Sequence, residues 1–436
     1  MEQLRAWWAR VIQPGKSGQA AAIGRTALLV LLVVSIFINY IDRSNLSIGA
    51  PLIERQMHFT EGQMGLLFSA FFWTYSSLQL VGVAGWLSDR FSVGWVFAAS
   101  YLVWSCATLA TGLLSGFLAL FAMRLILGAG ESLAYPCYCR ILATDVPQHQ
   151  RGRANAFLDA ASKLGPGLGT FIGGLTMARF GWRIFFILLG VASLLWLVPW
   201  LRWMPRTPGV RSASIIPFSF LREMLSKRAA IGTLSGHFLA NYFWFFLLIW
   251  LPSYLVKERG FSMARMATVG SAAYCAVAAA TICAGCLSDW LIARGVSVTK
   301  VRKSIVVVGL LGSGAVLPVA FVHDQRTSLL FLFIACMAFG TYTSNHWAIT
   351  QTVAGPVMAG RWTSVQNGIG NYSGIFASWL TGLIVQRTGS FNLAFALAGV
   401  VVVLAAAMWG WVVGPVREVD WNTGTGKGEP NAVARV

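Results

Sequence analysis

Charge is scarce in this sequence, and acidic charge is the scarcest. Asp, Glu, Lys and Arg make up 11% of the 436 residues, and only 15 of the residues are acidic. A soluble domain carries about 25% charged residues, because polar groups must cover its surface. Apolar residues make up 56% of the chain. The composition therefore excludes a soluble globular fold and predicts an integral membrane protein.

Sequence motifs for hydrolysis and nucleotide binding are missing as well. No HExxH, GxSxG or P-loop pattern occurs, which argues against a membrane enzyme and against a pump driven by ATP. Cys283 and Cys286 have CxxC spacing, but no second Cys or His pair completes a zinc site. We therefore expect no enzymatic activity, no metal ion and no organic cofactor.

Long apolar runs take the place of the missing charge. A helix needs about 20 mainly apolar residues to cross a bilayer, and open sheet edges cannot face lipid. The chain is therefore predicted to be an all-α membrane protein with twelve transmembrane helices. The predicted spans are 26–50, 62–84, 94–114, 116–142, 152–177, 182–201, 230–254, 264–287, 303–322, 327–351, 362–385 and 390–414.

A polar, arginine-rich linker at 202–229 divides these spans into two six-helix bundles, 26–201 and 230–414. Tails at 1–25 and 415–436 remain outside the bundles. The first tail has no apolar run of the kind found in a cleavable signal peptide. It is predicted to be either a disordered tail or a short amphipathic helix on the membrane surface.

Basic residues outnumber acidic ones, 33 against 15, which gives a net charge of +18. If the N-terminus is cytoplasmic, most Lys and Arg residues outside the spans fall in cytoplasmic segments, as the positive-inside rule requires. The positive charge is then explained by loops that face anionic lipid, without a nucleic-acid partner. We predict a multi-pass protein of the bacterial inner (plasma) membrane with both termini in the cytoplasm.

A short loop sequence occurs twice in the chain. Gly85-Trp-Leu-Ser-Asp89, followed by Arg90, closes the second span, and Gly285-Cys-Leu-Ser-Asp289 closes the eighth. Glycine allows close helix approach, and the aspartate can accept hydrogen bonds from amides at a neighbouring helix start. The repetition at equivalent positions predicts a gating contact on the cytoplasmic side of each half.

This repeated loop resembles the signature loop of the major facilitator superfamily. The resemblance extends over residues 25–415, nearly the whole chain. It implies two pseudo-symmetric six-helix bundles, which rock against each other and expose a central site alternately to the two sides of the membrane.

Beyond the first two residues of each predicted span, few charged side chains occur, and all of them lie in the first half. A charge at the bilayer centre costs about 2.5–3.5 kcal/mol on insertion scales, so such residues are functional candidates that face a cavity. The acidic members are Asp42, Glu131 and Asp159, and the basic members are Arg43, Arg124, Lys163 and, near the inner face, Arg140.

Helical spacing predicts which of these charges share a face. Arg124 and Glu131 are seven residues apart, so they point to the same side and can pair. Asp42 and Arg43 are adjacent and point in different directions, whereas Tyr40 lies on the face of Arg43.

Acids and arginines around one cavity predict a proton-coupled anion carrier. An acid beside an arginine stays ionised until a substrate carboxylate takes over the arginine, after which the acid is easier to protonate. Proton and anion then favour each other's binding. The alternative is a permanently ionised network that only orients the helices.

Four segments narrow the resemblance to the anion:cation symporter branch of the superfamily. The segments are Asn39-Tyr-Ile-Asp-Arg-Ser-Asn-Leu46 on the first span, Arg124, Gly128, Glu131 and Pro136 on the fourth, Trp250-Leu-Pro on the seventh, and Asn367-Gly-Ile-Gly-Asn371 with Gly374-Ile375 on the eleventh.

This narrower resemblance implies roles for individual residues. In bacterial sugar-acid members, the acids that match Asp42 and Glu131 carry protons, and the arginines that match Arg43 and Arg124 handle the carboxylate and the proton relay. Positions that contact substrate hydroxyls or close the cavity match Tyr40, Tyr75, His237, Ser344, Trp347 and Asn367. The implied substrate is a hydroxylated organic anion such as an aldonate, a hexuronate or an aldarate, and the coupling ion is H⁺.

Two positions depart from the pattern of the sugar-acid members. His237 stands where an amide side chain is frequent, and it is either a substrate contact or a packing residue. Lys163 stands where a neutral polar residue is expected. Either Lys163 holds a second carboxylate, which would favour dicarboxylates, or Asp159 neutralises it at i, i+4.

The second half offers hydrogen bonding without charge. Ser344 and Trp347 lie on the tenth span, and Asn367 and Asn371 share a face of the eleventh. Such groups suit substrate hydroxyls, and interhelical bonding is the alternative.

Together these features predict a monomeric secondary transporter whose partners are a small organic anion, H⁺ and the lipid bilayer. The alternatives are a carrier of an aromatic or dicarboxylic acid, and a drug or anion antiporter. Arg43 and Arg124 argue against cationic drugs.

Overall fold

The computed structural model describes residues 16–146, 148–205, 208 and 218–421. Within these residues every regular element is a helix and no strand occurs, which confirms the predicted all-helical class. The N-terminal segment with the predicted surface helix lies outside the described residues.

Eight helices, α1 to α8, form the first half of the chain. Their bounds are α1 Lys16–Met57, α2 Glu61–Leu80, α3 Val83–Arg90, α4 Val93–Leu113, α5 Phe117–Glu131, α6 Ala134–Asp145, α7 Gln148–Phe180 and α8 Trp182–Trp203. The helix α3 continues α2 after a bend of 61°, and α6 continues α5 after a short break. These eight helices therefore correspond to six predicted spans.

Local sequence explains where several of these helices begin. The Thr60 side chain accepts a hydrogen bond from the Gln63 amide, and the Gln63 side chain accepts one from the Thr60 amide, which caps α2. Gly116 and Gly181 have φ angles of 89° and 83°, a region that glycine adopts without strain. They form the tight turns before α5 and α8.

Seven helices and a terminal π-helix form the second half. Their bounds are α9 Phe218–Ser226, α10 Arg228–Lys257, α11 Met263–Ala293, α12 Val298–Ser313, α13 Val316–Val319, α14 Gln325–Thr388, α15 Asn392–Ala407 and the π-helix Met408–Val412. The long α14 contains the tenth and eleventh predicted spans, which meet at Gly355, where a φ of 74° interrupts the helix. The helix α9 lies in the predicted linker, where the sequence pattern did not indicate a helix.

Nine helical stretches of the described chain are long and apolar enough to cross a bilayer, and the bent pair α2 and α3 makes ten. The two remaining predicted spans, 152–177 and 362–385, coincide with α7 and with the second part of α14. These helices carry more polar residues because both pack between the halves, where part of their surface is shielded from lipid. The structure is therefore consistent with twelve membrane crossings.

The two halves meet along two seams that are lined by small residues. Along the first seam, between α2 and α14, a Cβ atom on Gly65 would lie 2.8 Å from the carbonyl oxygen of Ser378 and 3.3 Å from Cα of Gly382. Along the second seam, between α7 and α11, a Cβ atom on Gly174 would lie 2.5 Å from Cβ of Ala267. Small residues let the helix backbones approach closely, as in other membrane helix pairs.

Large apolar side chains lie on the outer surface of both halves. Leu118, Val198, Val308 and Trp411 are between 66% and 80% exposed. Water would disfavour so much exposed apolar surface, whereas lipid does not. The chain is a multi-pass membrane protein.

Candidate functional site

The first half holds a buried ion pair between two helices. Arg43 on α1 donates from Nε to Oε2 of Glu131, the last residue of α5, over 3.0 Å. Their side chains are 8% and 0% exposed. The pair is shielded from water, so removing either partner leaves a costly unpaired charge.

Three aromatic rings surround the guanidinium of Arg43. Its Cζ atom lies 4.5 Å from the ring centre of Tyr75, 4.9 Å from that of Tyr40 and 5.5 Å from that of Phe71. The structure thus places the predicted residues Tyr40 and Tyr75 beside Arg43. Phe71 is not among the predicted residues, although its position one turn before Tyr75 on α2 puts it on the same helix face.

Arg124 on α5 is a buried cation that forms no direct ion pair with any of the described residues. It is 4% exposed, and its Nε and Nη1 atoms have no hydrogen-bond partner. Its Cζ atom lies 5.2 Å from the ring centre of Phe71, against which Arg43 also packs. The pairing with Glu131 that the spacing predicts does not form, because Glu131 binds Arg43. A buried, unpaired guanidinium offers hydrogen-bond donors and positive charge to an anion.

Asp42 is fully buried on α1, and its hydrogen-bond partners are different from that of Arg43. Its Oδ1 atom accepts hydrogen bonds from Thr108 Oγ1 at 2.8 Å and from Asn45 Nδ2 at 3.1 Å. Its Oδ2 atom has no partner. One oxygen of this carboxylate therefore has no hydrogen bond among the described residues and could take up a proton.

The four charged residues Asp42, Arg43, Arg124 and Glu131 form one group, which we call the four-charge cluster. Electrostatic interactions connect Arg124 with each of the other three members. Two charges are positive and two are negative, so the ionised cluster has no net formal charge. An added anion would give it a net negative charge in a region shielded from water.

The second half contributes a stack of ring side chains, which we call the histidine stack: His237, Tyr342, His346 and Trp347. The rings of His237 on α10 and His346 on α14 lie 5.1 Å apart and nearly parallel, at 13°. The ring of Tyr342 stacks on that of His346 at 4.8 Å. The ring of Trp347 lies 4.9 Å from that of His237. The structure thus brings together the predicted residues His237 and Trp347, and it adds His346 and Tyr342.

The two histidines of the stack differ in their hydrogen bonds. His237 uses both ring nitrogens, with the Tyr342 hydroxyl 3.3 Å from Nδ1 and the Asn241 amide nitrogen 3.2 Å from Nε2. His346 donates from Nδ1 to the Thr343 carbonyl over 3.1 Å. His237 is therefore fixed by the protein through both nitrogens, as the packing alternative predicts.

Lys163 on α7 is a half-buried cation of the first half. Asp159, one turn earlier, is exposed, and no ion pair between Asp159 and Lys163 occurs in the described part of the chain. Of the two alternatives for Lys163, neutralisation by an ion pair with Asp159 is therefore not observed.

The two predicted asparagines of the eleventh span lie at the seam between α2 and α14. Asn367 donates from Nδ2 to Oε1 of Gln79 over 3.2 Å, which joins the two halves. Asn371 donates to the Asn367 carbonyl over 2.8 Å. Both amides thus bond within the protein in this conformer, and substrate contacts by them remain a prediction.

The repeated loop of the first half contacts a neighbouring arginine. A carboxylate oxygen of Asp89 lies 3.9 Å from Nε of Arg140, so the aspartate pairs with a side chain rather than with the amides of a helix start. Arg90 is exposed next to it. A Cβ atom on Gly85 would meet no atom within 4 Å, so the predicted close helix approach is not made in this conformer.

The repeated loop of the second half makes different contacts. Its Ser288 donates to Oδ1 of Asn345 over 2.8 Å, and Asn345 donates to the predicted site residue Ser344 over 2.8 Å. A Cβ atom on Gly285 would lie 3.8 Å from Cβ of Ser344, an ordinary contact. Asp289 is exposed. Ser344 therefore connects to the loop rather than to the histidine stack.

On the side of the molecule opposite the repeated loops, ion pairs join the two halves. Lys257, at the end of α10, pairs with Glu54 of α1 and with Glu61 of α2, the latter over 2.9 Å. The Gly62 amide also donates to Oε1 of Gln386 of α14 over 3.0 Å. We call Glu54, Glu61 and Lys257 the latch, and we name the two sides of the molecule the latch side and the loop side. No ion pair joins the halves on the loop side among the residues described, so this conformer is closed on the latch side.

Replacing Lys257 with glutamine is expected to open the latch side. Glu54 is 7% exposed and loses its ion-pair partner, and stranding a buried charge in this way costs about 2 kcal/mol or more. Such a cost shifts the ratio of open to closed molecules at least about tenfold. Spin labels at the exposed positions Arg55 and Arg387, one in each half, would report a longer distance by double electron–electron resonance.

The matched control for the latch is Arg326→Gln, which removes an exposed cation from the same side. The control should leave the distance distribution unchanged. A Lys257→Gln protein with the wild-type distribution would show that the latch does not hold this side closed.

Comparison with known proteins identifies the family of the chain. Residues 32–377 match the family model described as Major Facilitator Superfamily. The chain is 29% identical over 432 residues to the probable galactarate/D-glucarate transporter of Escherichia coli K12, with 91% of this chain and 96% of that protein covered. It is 29% identical over 395 residues to the hexuronate transporter of Bacillus subtilis 168, with coverages of 87% and 92%.

A solved structure shows the same fold. The chain superposes with a TM-score of 0.75 on a bacterial homologue of the human lysosomal transporter Spinster, crystallised in an inward-facing and unoccupied conformation. The superposition covers 89% of this chain and 97% of that one at 19% identity, so it supports the fold alone. Together, the family match and the full-length relatives confirm a transporter rather than an enzyme. The chain belongs to the Major Facilitator Superfamily of membrane transporters.

Proposed function

We propose that this protein is a secondary transporter that carries a sugar acid together with protons across a bacterial inner membrane by alternating access. The observation that carries the proposal is Arg124, a buried guanidinium without a partner beside the Arg43–Glu131 pair. The names of the two relatives, a galactarate/D-glucarate transporter and a hexuronate transporter, support sugar acids as the class of anion. One chain supplies every residue of the site, so a monomer suffices.

A substrate carboxylate fits the unpaired guanidinium of Arg124. The guanidinium presents several N–H donors in a plane, a geometry that matches the two oxygens of a carboxylate. Buried donors without a hydrogen-bond partner, such as Nε and Nη1 of Arg124, are costly, and a bound carboxylate offsets that cost. The same charge disfavours cationic drugs, which argues against a drug antiporter.

Proton coupling follows from the charge balance of the four-charge cluster. The ionised cluster is neutral, so a carboxylate bound at Arg124 makes it negative by one charge in a water-poor region. Protonation of Glu131 or Asp42 restores neutrality, and Asp42 has an unpartnered oxygen for the proton. Anion and proton therefore favour each other's binding, and by linkage the effect is reciprocal.

The histidine stack and its neighbours supply hydrogen bonding for the hydroxyl groups of a sugar acid. Trp347 is half-buried and presents an indole face together with one N–H donor. Polar groups at fixed positions discriminate between hydroxylated substrates, because a missing hydroxyl leaves a protein group without its partner.

We infer that the loop side faces the cytoplasm. Three basic side chains bond to backbone carbonyls on that side: Arg302 to Ala348, Lys303 to Gly414, and Arg228 to Trp411. Basic residues accumulate on the cytoplasmic side of membrane proteins. The latch side then faces outward, and the conformer closed by the latch is inward-facing.

Uptake by the purified protein in proteoliposomes tests the proposal. With an acidic exterior and a neutral interior, we expect radiolabelled galactonate, galacturonate or galactarate to accumulate above its external concentration. A protonophore should abolish the accumulation. Transport of a sugar acid without accumulation would contradict proton coupling, and transport of none of the three would contradict the substrate class.

A further inference from the structure

We propose that one anionic phospholipid binds where the loop-side ends of α10, α12 and the π-helix meet, with its phosphate at Arg228 and Lys303. Its acyl chains lie along the membrane-facing surface where α12 packs against the last span. The inference concerns the lipid bilayer and holds whichever substrate is carried.

Two cations from different helices meet at the end of the π-helix. Arg228, the first residue of α10, donates from Nη2 to the carbonyl oxygen of Trp411 over 2.9 Å. Lys303 of α12 donates from Nζ to the carbonyl oxygen of Gly414 over 2.9 Å. The two carbonyl groups are three residues apart, so both cations lie at the same helix end. Lys300, exposed on α12, adds a third positive charge about one turn before Lys303.

Capping of the π-helix accounts for only part of what Arg228 and Lys303 can bind. Basic side chains near a helix C-terminus often donate to its free carbonyl groups, and each of these two does so once. A guanidinium and an ammonium each have further N–H donors. Neither residue takes part in an ion pair within the described chain. The remaining donors are therefore suited to an anion, and phosphate oxygens accept such charge-assisted hydrogen bonds strongly.

Farther into the membrane, α12 packs antiparallel against the last span. A Cβ atom on Gly410 would lie 3.4 Å from Cγ2 of Val307, and one on Gly314 would lie 3.6 Å from Cγ2 of Val403. Later residues of α12 thus meet earlier residues of the last span. We call this contact between α12 and residues 403–414 the terminal seam. The two cations lie at its loop-side end.

Exposed apolar side chains flank the terminal seam on both helices. Val308 and Leu311 of α12 are exposed, and so are Leu404 and Trp411 of the last span. Lys300 and Leu311 are eleven residues apart and therefore share one face of α12, with the charge at its loop-side end. Tryptophan is enriched at the depth of lipid headgroups. This surface thus has the order of a phospholipid, with a charged end followed by an apolar stretch.

Charge complementarity selects an anionic lipid over a zwitterionic one. Arg228, Lys300 and Lys303 are all positive, and no ion pair with an acid is described for any of them. Basic pockets between membrane helices on the cytoplasmic side bind anionic headgroups, and we infer the loop side to be cytoplasmic. A free phosphate ion would use the cations but leave the apolar surface without a role.

Photo-crosslinking in nanodiscs tests the site. A phosphatidylglycerol probe with a diazirine on one acyl chain is titrated into phosphatidylcholine nanodiscs that hold the purified protein, and labelled peptides are mapped by mass spectrometry. We expect labelling at the terminal seam, on peptides with Val308, Leu311 or Trp411. Labelling should reach half-saturation at a lower mole fraction than with a phosphatidylcholine probe that carries the same acyl chain.

The double variant Arg228→Gln with Lys303→Gln removes the two charges and keeps an amide donor for each carbonyl. A cation beside an anionic lipid surface contributes about fivefold to binding, so this variant should need about 25-fold more phosphatidylglycerol probe for the same labelling. Labelling by the phosphatidylcholine probe should not change. The matched control is Arg202→Gln, which removes an exposed cation at the loop-side end of α8 and should bind both probes as the wild type does.

Thermal stability separates lipid binding from helix capping. A bound lipid stabilises the folded protein, so phosphatidylglycerol in the nanodiscs should raise the Tm of the wild type but not that of the double variant. In phosphatidylcholine alone the two proteins should have equal Tm values. A double variant that is destabilised equally in both lipids would show that the cations only cap the helix end and would overturn the site.

Three other results would also overturn the inference. The first is equal labelling of the terminal seam by the two probes, and the second is unchanged labelling in the double variant. The third is a rise in Tm with glycerol 3-phosphate, in phosphatidylcholine alone, that equals the rise with phosphatidylglycerol, because a soluble phosphate would then be the occupant. Neither measurement depends on transport, so a failure of the sugar-acid proposal leaves this inference standing.

Discussion

Replacing Arg124 with glutamine is expected to lower kcat/KM for sugar-acid uptake by about 100-fold or more while leaving the protein folded. The substrate carboxylate loses its partner in a site shielded from water, and removing one member of such a charge pair costs about 2–5 kcal/mol. Each 1.4 kcal/mol is about a tenfold change, so this cost corresponds to a loss of about 1.4 to 3.6 orders of magnitude, a range that includes the expected 100-fold. Initial uptake rates over a range of substrate concentrations would measure it.

Thermal stability separates this role from that of a structural ion network. Arg124 has no partner at Nε or Nη1 in the protein, so its removal breaks no described ion pair, and protonation of Glu131 or Asp42 keeps the cluster neutral. We expect the Tm of Arg124→Gln to equal or exceed that of the wild type, the usual trade-off between stability and function at a binding site. A permanently ionised network would instead lose stability together with its arginine.

Two further variants complete the comparison for Arg124. Arg124→Lys keeps the charge but not the planar fork, so it should restore only part of the activity. Arg179→Gln, on the outer surface at the end of α7, should transport as the wild type does. Unchanged kcat/KM in the Arg124→Gln protein would remove this residue from substrate binding.

The membrane fold was predictable from the sequence because each span satisfies a local rule. A stretch of about 20 apolar residues must cross the bilayer wherever it occurs, so composition alone locates it. The helices α4 and α8, at Val93–Leu113 and Trp182–Trp203, agree with their predicted spans within two residues. Local rules were less informative at Gly355, where a single residue separates two spans inside one long helix, and at α9, whose sequence reads as a polar linker.

The pairing of charges was less predictable because it depends on how the helices pack. Spacing along α5 places Arg124 and Glu131 on one face, but it cannot reveal that Arg43 lies closer to Glu131 across the bundle. Arg43 and Glu131 are 88 residues apart, and Lys257 and Glu61 are 196 apart. No periodicity within one helix reports on such contacts.

Residues that complete the site through packing were missed for the same reason. Phe71 lies between the guanidinium groups of Arg43 and Arg124, yet in sequence it is one of many phenylalanines in an apolar run. His346 stands beside Trp347, but only the fold shows that it stacks on His237. A histidine or an aromatic residue becomes informative once its neighbours from other helices are known.

Replacing Glu131 with glutamine is expected to abolish accumulation of the substrate while preserving its exchange. One pH unit corresponds to about 1.4 kcal/mol per proton, so each coupled proton supports an accumulation of about tenfold per pH unit. Glutamine can still accept the hydrogen bond from Nε of Arg43, but it cannot take up a proton. The ratio of internal to external substrate should therefore fall to about one under an imposed pH gradient, while counterflow of labelled against unlabelled substrate continues.

The exchange measurement makes this prediction specific to coupling. A protein damaged in folding or in substrate binding loses counterflow and accumulation together, whereas an uncoupled carrier loses accumulation alone. Glu258→Gln, which neutralises an exposed acid, is the matched control and should accumulate substrate as the wild type does. Asp42→Asn is expected to reduce accumulation too, because Asp42 interacts electrostatically with Glu131 and Arg124 in the same cluster. If Glu131→Gln still accumulates substrate against its gradient, the proton is carried elsewhere, and Glu131 serves only to hold Arg43 in place.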